Sequence, residues 1–294
     1  LVGSEMCIRD KYKRMRTIAI LMTVFNRKDT TIRCLADLNN QQYDRDTFHI
    51  DVYLTNDGCT DGTPEAISKL FPDVKIISGD GSLFWNRGMY VAWCEALKND
   101  YDYYLWLNDD TFIKQDAISR LLVDSNIYHD KAIIVGSTCE VGNPSKITYG
   151  GWSNYRLNVD LSTHQVCDTI NGNIVLVPRS VYKALGTNDP YYRHAAGDTD
   201  YGFRAKEHGI PVYTGIGIFG ECNLHEKSVV WMDPTHSFVK RWNNFLSPVG
   251  NNPFEMFYFK KKHYGLFPAC ITFITNWTHF FFPWFWPSCY KKYK

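Results

Sequence analysis

Short apolar runs alternate with segments of helical periodicity through the first half of the chain. The runs have the length and composition of β-strands, and they lie at 17–25, 49–54, 74–77, 103–107 and 132–135. Between the first two, Ile32, Leu35 and Leu38 recur at the spacing of one face of a helix. This alternation predicts a mostly parallel sheet with right-handed crossovers and helices on its faces.

A cluster of polar residues follows each of the first four strands. The clusters are N-R at 26–27, T-N-D-G-C-T-D-G-T at 55–63, G-D-G-S-L-F-W-N-R-G at 79–88 and N-D-D at 108–110. Because parallel strands end at the same edge of a sheet, we expect these clusters to meet where ligands bind in open α/β folds. The adjacent Asp109 and Asp110 repel each other, and a divalent cation with oxygen ligands would neutralise them. Alternatively, Asp110 or Thr111 caps a helix that starts near Phe112.

The second half loses this alternation between 143 and 168. That stretch contains Y-G-G-W at 149–152, so we expect a hairpin or an excursion over the sheet, with aromatic side chains that stack on a sugar ring or pack beneath a loop. A buried strand at 171–178 and a helix at 179–185 follow. Asp198 and Asp200 then stand just before a helix that stops at Gly209, and helix capping explains one of these acids but not both.

A glycine motif at 215–220, G-I-G-I-F-G, has the spacing of a dinucleotide-binding loop. That motif requires a helix directly after it and an acidic residue about 20 positions on. E-C-N-L-H-E-K-S follows instead, without helical periodicity, so we do not interpret the glycines as a cofactor loop.

Composition narrows the class of protein. With 32 basic and 31 acidic residues the formal charge is +1, which gives no overall electrostatic case for binding nucleic acid. The nine cysteines are dispersed and contain no C-x-x-C pair, which favours reduced thiols in a cytosolic setting over a disulfide framework or a zinc site. The first ten residues fit nothing that follows, and Met15 directly precedes a strand, so 1–14 is expected to be a non-native or disordered leader.

The tail differs from the rest of the chain. Residues 265–288 carry no Asp, Glu, Lys or Arg and are rich in aromatics, with three lysines before them and three after. Prolines at 268, 283 and 287 make a membrane-spanning helix a poor interpretation. The segment would either lie on an anionic membrane surface or pack on the domain or in a homodimer interface.

Five motifs taken together resemble the inverting GT-A glycosyltransferases of family two, of the kind that builds bacterial surface polysaccharides. They are T-V-F-N-R, N-D-G-C-T-D-G-T, F-W-N-R-G-M, L-N-D-D-T and G-D-T-D-Y-G-F-R-A, and the resemblance covers about 16–226. It implies a GT-A fold, which is an α/β fold with a Rossmann-like, mostly parallel sheet flanked by helices. Here that fold would carry an aromatic, helical C-terminal extension.

The resemblance also implies roles for individual residues. The donor pocket would be formed by Asn26, Arg27, Asn56, Asp57, Trp85, Asn86, Arg87, Asn108 and Asp109. Asp110 would bind a divalent metal, Mn²⁺ or Mg²⁺, with Asp109 and His225 as further candidate ligands. Asp198 would be the general base, and Asp200 would organise the acceptor side.

The sequence departs from the family pattern at three positions. Asn56 and Asn108 stand where relatives often have Asp, so Asp57 and Asp109 would take those roles, and Gly197 replaces the usual Glu before the base.

Two rival functions are the alternatives to a glycosyltransferase. A sugar nucleotidyltransferase would need a glycine-rich loop near the first strand, and T-V-F-N-R-K-D-T-T has no glycine. A non-catalytic protein that binds carbohydrate or nucleotide sugar would use the same acids as caps.

The expected organisation is a catalytic domain at 15–245 followed by an aromatic, potentially membrane-associated segment at 246–294. The catalytic domain would consist of a nucleotide-binding half at 15–125 and an acceptor half at 126–245. The expected partners are a nucleotide-diphosphate sugar and a glycan or lipid-linked acceptor. The expected location is the cytoplasm, with the cytoplasmic face of the inner membrane as the alternative.

Overall fold

A mixed β-sheet forms the centre of the protein. The structure is a computed structural model that describes residues 14–225 and 229–285. The strands of this part are β1 (Arg16–Val24), β2 (Phe48–Asn56), β3 (Lys75–Ser78), β4 (Tyr103–Leu107), β5 (Phe112–Ile113), β6 (Ile133–Glu140), β7 (Asn143–Tyr149), β8 (Gly151–Ser153), β9 (Arg156–Leu157), β10 (Thr169–Ile170), β11 (Ile174–Pro178) and β12 (Val212–Glu221). The described strands of the main sheet are ordered β3-β2-β1-β4-β11-β6-β12-β5, with β7 also paired to β6.

Helices cover both faces of the sheet, and three further α-helices follow the last strand at the C-terminal end of the described chain. They are α1 (Lys28–Asn39), α2 (Thr63–Leu70), α3 (Phe84–Ala96), α4 (Ala117–Ile127), α5 (Arg179–Leu185), α6 (Gly197–Glu207), α7 (Phe238–Leu246), α8 (Pro253–Tyr264) and α9 (Leu266–Phe281). Strands β3, β2, β1 and β4 are mutually parallel, as the alternation of strand and helix predicts.

Strand β1 shows why the sheet is covered on both faces. Ile18, Ile20 and Met22 pack in one core cluster together with residues of α1 and α4. Ala19 and Leu21 point the other way and pack with residues of α3 and α6. Successive side chains of a strand alternate between the two faces, so a strand that is apolar throughout requires helices on both sides. The expectation of a mostly parallel sheet flanked by helices is therefore confirmed.

The parallel order changes beyond β4. Strand β11 inserts antiparallel between β4 and β6, and β12 then runs parallel to β6. The stretch expected to be a hairpin or excursion forms β7 to β10, of which β8, β9 and β10 make a small separate sheet. The glycines of 215–220 lie inside β12, where the register with β6 shifts, so they do not open a helix, as the sequence predicts.

The alternative interpretation of the acidic pair, as the cap of a helix, was wrong. Phe112 and Ile113 form a short strand that pairs with Gly220 and Glu221, and the next helix begins only at Ala117. Neither Asp110 nor Thr111 therefore caps a helix, and the acidic pair is left in the loop between two strands. The pairing partner lies more than a hundred residues away, so the local pattern could not show it.

The C-terminal helices pack against α6 and against each other. Phe280 of α9 stacks on Phe245 of α7, with ring centroids 4.9 Å apart, and both side chains are fully buried. Helices α8 and α9 form an antiparallel pair joined at Gly265, whose φ of +89° suits glycine. Within 14–225 and 229–285, none of the helices is long and apolar enough to cross a membrane.

Candidate functional site

Four of the predicted site residues meet at the end of β4. The Nη1 atom of Arg27, which follows β1, lies 2.6 Å from Oδ2 of Asp110 and 3.3 Å from Oδ1 of Asp109. On the other side, Nε2 of His225 lies 2.7 Å from the same Oδ2 of Asp110. Asp109 is buried, whereas His225 is exposed. Residues separated by up to about two hundred positions thus form one charged cluster at the carboxyl edge of the sheet.

Burial and neighbouring charges shift the pKa values of Asp109 and Asp110 in opposite directions. Burial raises the pKa of Asp109 to about 7; the charge of Arg27 opposes this shift and that of Asp110 adds to it. Burial alone would also raise the pKa of Asp110, but the hydrogen bond with His225 and the charge of Arg27 hold that pKa below its usual range. The contact with Asp110 in turn raises the pKa of His225. Asp110 is therefore the more readily ionised member of the pair.

The side chains of this cluster suit a divalent metal only if a bound substrate supplies the remaining ligands. Residues 14–225 and 229–285 contain no group of three or more His, Cys, Asp or Glu side chains placed to hold a metal ion. Asp110 and His225 do offer a carboxylate oxygen and an imidazole nitrogen that converge to 2.7 Å. Mg²⁺ sites often use one or two carboxylates and take their remaining ligands from substrate phosphates and water. The residues fit a site of that type.

The loops after β1 and β2 hold each other in place. Oδ1 of Asn26 accepts the backbone N–H of Thr60 at 2.7 Å, and Oδ1 of Asn56 accepts that of Cys59 at 2.9 Å. Asn26 adopts a positive φ of 51°, a conformation that Asn tolerates better than most residues. Asn26 and Asn56, both predicted for the pocket of the sugar donor, thus direct their side-chain amide oxygens at the 57–60 loop.

Asp57 anchors the loop that leads into α3. Its buried carboxylate accepts backbone N–H groups of Gly81 at 2.9 Å, Leu83 at 3.2 Å and Phe84 at 2.8 Å. Each is a hydrogen bond to a charged acceptor, the stronger kind. Asp57 therefore shapes the start of α3, where Trp85 begins the W-N-R motif.

Trp85 connects Asn108, at the end of β4, to Asp198. Its Nε1 donates to Oδ1 of Asn108 at 2.7 Å, and its ring packs so closely on Gly172 that a Cβ there would lie 2.3 Å from the ring. The backbone N–H of Gly172 donates to Oδ2 of Asp198 at 3.1 Å. Three contacts thus connect Asn108 to Asp198, although ninety positions separate these residues in the chain.

Asp198 is half-buried at the start of α6. Its Oδ1 accepts the backbone N–H of Thr199 at 2.7 Å. Burial raises the pKa of Asp198 above its ordinary value, and the two N–H donors offset this only in part. The preceding Ala196 has a φ of +68°, a strained value for a residue other than glycine, and such strain is often found at functional sites.

Asn86 and Arg87 hold the loop that precedes Asp198. The buried amide of Asn86 donates to the carbonyls of Asp189 and Tyr192, both at 2.8 Å, and Nε of Arg87 donates to the carbonyl of Pro190 at 2.9 Å. A Cβ at Gly197 would lie 1.9 Å from Oδ1 of Asn86, so this position has no room for the Glu of related sequences. The W-N-R motif thus positions the 189–197 loop.

Asp200 has a different environment from Asp198. Its fully buried carboxylate contacts Nε of Arg204 at 2.9 Å, Nζ of Lys262 at 2.7 Å, Nε2 of His263 at 2.9 Å and the hydroxyl of Tyr192 at 3.1 Å. Lys262 and His263 belong to α8. Asp200 therefore joins the C-terminal helices to α6, an arrangement that the sequence did not predict.

Three residues near the charged cluster at the end of β4 were not predicted from the sequence. The Tyr149 hydroxyl accepts the backbone N–H of His225 at 2.9 Å, and the Cys222 thiol lies 3.7 Å from Oδ1 of Asp110. His194 packs edge-to-face on Phe84; burial and the charges of Arg27 and His225 lower its pKa. The aromatic Y-G-G-W run was the one available signal, for Tyr149; nothing in the local pattern marked Cys222 or His194.

Comparison with known proteins defines the family. Residues 19–165, which are 147 of the 294 residues, match glycosyl transferase family 2, and the chain belongs to that family. The resemblance to the GT-A glycosyltransferases of family two is thereby confirmed. A search of the curated proteins found no match.

Solved structures share the fold at low sequence identity. S. aureus TarS aligns with a TM-score of 0.57 and 12% identity over 90% of this chain and 55% of that one, so the chain spans just over half the length of TarS. S. aureus TarS 1-349 in complex with UDP gives 0.53 and 11%, over 90% of each chain. The mannosyltransferase PcManGT from Pyrobaculum calidifontis, in complex with GDP-Man and Mn²⁺, gives 0.52 and 16%, over 89% of this chain and 74% of that one. These matches confirm the GT-A fold.

Proposed function

We propose that this glycosyltransferase moves a sugar from a nucleoside-diphosphate sugar to a hydroxyl of a glycan or lipid-linked acceptor, with inversion and with a divalent metal. The observation that carries the proposal is the cluster of Arg27, Asp110 and His225 at the carboxyl edge of the sheet, only a few contacts from Asp198. The solved relatives bind UDP in one case and GDP-Man with Mn²⁺ in another, which supports the donor class and the metal.

Asp110 and His225 would hold the metal, with Asp109 as a neighbouring carboxylate. When bound, Mn²⁺ or Mg²⁺ would act as a Lewis acid on the diphosphate leaving group. Arg27 now neutralises Asp110, and its guanidinium would be free to contact the diphosphate once another cation takes that role. Binding of the metal to His225 would compete with the proton of the imidazole, so donor affinity should fall at acidic pH.

Asp198 is the proposed general base. Each carboxylate oxygen of Asp198 accepts one backbone N–H, and Oδ2 keeps a further lone pair. With that lone pair Asp198 could accept the proton of the acceptor hydroxyl while the hydroxyl oxygen attacks the anomeric carbon from the side opposite the diphosphate. The new bond to the acceptor oxygen forms as the bond to the diphosphate oxygen breaks, and a single displacement inverts the configuration. The raised pKa of Asp198 favours proton acceptance near neutral pH.

The proposed organisation keeps a catalytic domain at 15–245 and a C-terminal extension at 246–294. Ion pairs from α8 to residues that flank Asp198 support a role of the extension at the acceptor side. The dispersed cysteines support a reducing, cytoplasmic setting, since seven of them are free in the part of the chain that the structure describes.

The proposed base is tested with Asp198→Asn. The variant should bind the nucleotide as the wild type does and lose transfer or slow donor hydrolysis by about 10²–10⁴-fold, the usual contribution of a general base. Asp73→Asn is the matched control, because Asp73 is an exposed acid between α2 and β3. A panel of nucleotide sugars with Mn²⁺ supplies the donor. Full activity of Asp198→Asn would assign the base elsewhere, and nucleotide binding without any turnover in the wild type would favour a binding protein.

A further inference from the structure

Exposed apolar side chains are concentrated in the C-terminal helices. More than half of the large hydrophobic side chains that are exposed in the described part of the chain lie between residues 238 and 285. Phe267, Ile271, Ile274 and Phe281 form one stripe along α9, because they are spaced by three, four or seven positions, and they are 47–76% exposed. We call these four residues the apolar stripe.

The opposite side of α9 is already occupied. Ala269 and Phe280 are buried there, and Phe273 contacts Phe254 and Phe257 of α8. Helix α9 therefore has apolar side chains on two opposite sides, and residues 265–288 contain no charged side chain. A helix of this kind is usually buried on every side or in contact with a membrane. Among residues 14–225 and 229–285, packing covers only one of these two sides.

The exposed charges of residues 229–285 all have the same sign. Residues 229–285 contain only two acids, Asp233 and Glu255, and both are buried. Lys240 and Lys261 are exposed, and half-buried Lys260 lies over the Tyr264 ring at 4.4 Å, directly before the turn into α9. A second copy of the same positive surface would not neutralise these lysines, whereas anionic lipid headgroups would.

The same helices are fixed to the acceptor side of the site. Nε of Arg193 contacts Glu255 at 2.7 Å, and Lys262 contacts both Asp189 at 2.8 Å and Asp200 at 2.7 Å. These partners lie in the 189–200 segment that carries Asp198. A surface that holds α9 would therefore lie at a defined position relative to the proposed base.

We propose that the apolar stripe and its flanking lysines dock this protein on the surface of an anionic lipid bilayer. The helix would lie in the interface with the stripe among the acyl chains and Lys260 and Lys261 at the headgroups. The docking does not depend on the transfer reaction. Its consequence, that the acceptor is lipid-linked, does rest on the proposed function.

The test is sedimentation of the full chain with vesicles of equal parts phosphatidylglycerol and phosphatidylcholine, and with phosphatidylcholine alone. The wild type should bind the anionic vesicles, and its affinity should fall as salt is raised. Changing Ile271 and Ile274 together to Glu should weaken binding by about tenfold or more. The matched control changes Val123 and Ile127 together to Glu, because these are comparably exposed apolar residues on α4, and it should bind normally.

Replacing Lys260 and Lys261 by Gln should cost about fivefold each on anionic vesicles. Thermal unfolding of every variant checks that the fold is intact. No sedimentation of the wild type, or equal binding by the stripe variant and its control, would overturn the proposal. So would a dimer in sedimentation velocity that dissociates in the stripe variant while vesicle binding is absent, since the stripe would then be a homodimer interface. Vesicle binding is measured without donor, so a failed transferase assay leaves this result unaffected.

Discussion

Changing Asp200 to Asn tests whether this acid is structural or catalytic. Asp200 is fully buried and contacts Arg204, Lys262 and His263 at 2.7–2.9 Å, so Asn would leave three buried or half-buried cationic groups without their shared counter-charge. Removing one partner of a buried ion pair usually costs about 3–5 kcal/mol.

Other contacts limit the expected loss. Lys262 keeps Asp189 at 2.8 Å, His263 keeps Glu207 at 2.6 Å, and the Arg204 guanidinium keeps two backbone carbonyls. We therefore expect the lower end of the range, about 3 kcal/mol of the free energy of unfolding. For a protein of this size, that loss corresponds to a fall in the melting temperature of about 6–12 °C.

The assay is urea unfolding followed by circular dichroism, together with nucleotide binding by the folded variant. Asp116→Asn is the matched control, because Asp116 forms an exposed pair with Arg120 at the same four-residue spacing, 3.5 Å apart. Such surface pairs contribute only about 0.3–0.5 kcal/mol. If Asp200→Asn is no less stable than this control and yet loses transfer activity, Asp200 acts in catalysis and the structural account is wrong.

Two further predictions concern the same half of the molecule. Burial lowers the pKa of His263, but contacts with Asp200 and Glu207 outweigh it and leave the net pKa raised. The stability advantage of the wild type over His263→Gln should therefore be full below about pH 6.5 and fade as pH rises through the folded pKa; urea unfolding across pH checks this, and an advantage that grows with pH would contradict it. Gly197→Ala should destabilise by about 1–3 kcal/mol, because its Cβ would lie 1.9 Å from Oδ1 of Asn86; an unchanged melting temperature would refute the crowding.

The sequence pattern was sufficient for the sheet and for part of the site. Continuous apolar runs that end in polar clusters predict buried parallel strands whose ends share an edge, and Arg27, Asp109 and Asp110 do meet there. The pattern failed where long-range pairing decides the local structure. Phe112 and Ile113 become a strand only because β12 lies beside them.

The sequence could not show that Asp198 and Asp200 lie in different surroundings. Both residues stand at the start of one helix, so the sequence alone gives them similar surroundings. Positions two apart on a helix point about 200° away from each other, so the side chains enter different surroundings. Asp198 faces Gly172 at the sheet edge, and Asp200 faces α8. Distinguishing them requires the position of α8, which depends on contacts more than sixty residues away.

Calorimetry of nucleoside diphosphates with Mn²⁺ tests the central claim, that Asp110 and His225 complete a metal and donor site. The wild type should bind UDP or GDP only when Mn²⁺ is present, and Asp110→Asn should lose that metal-dependent binding while its melting temperature stays close to that of the wild type. Binding of equal strength without metal, or unchanged binding by Asp110→Asn, would contradict the account.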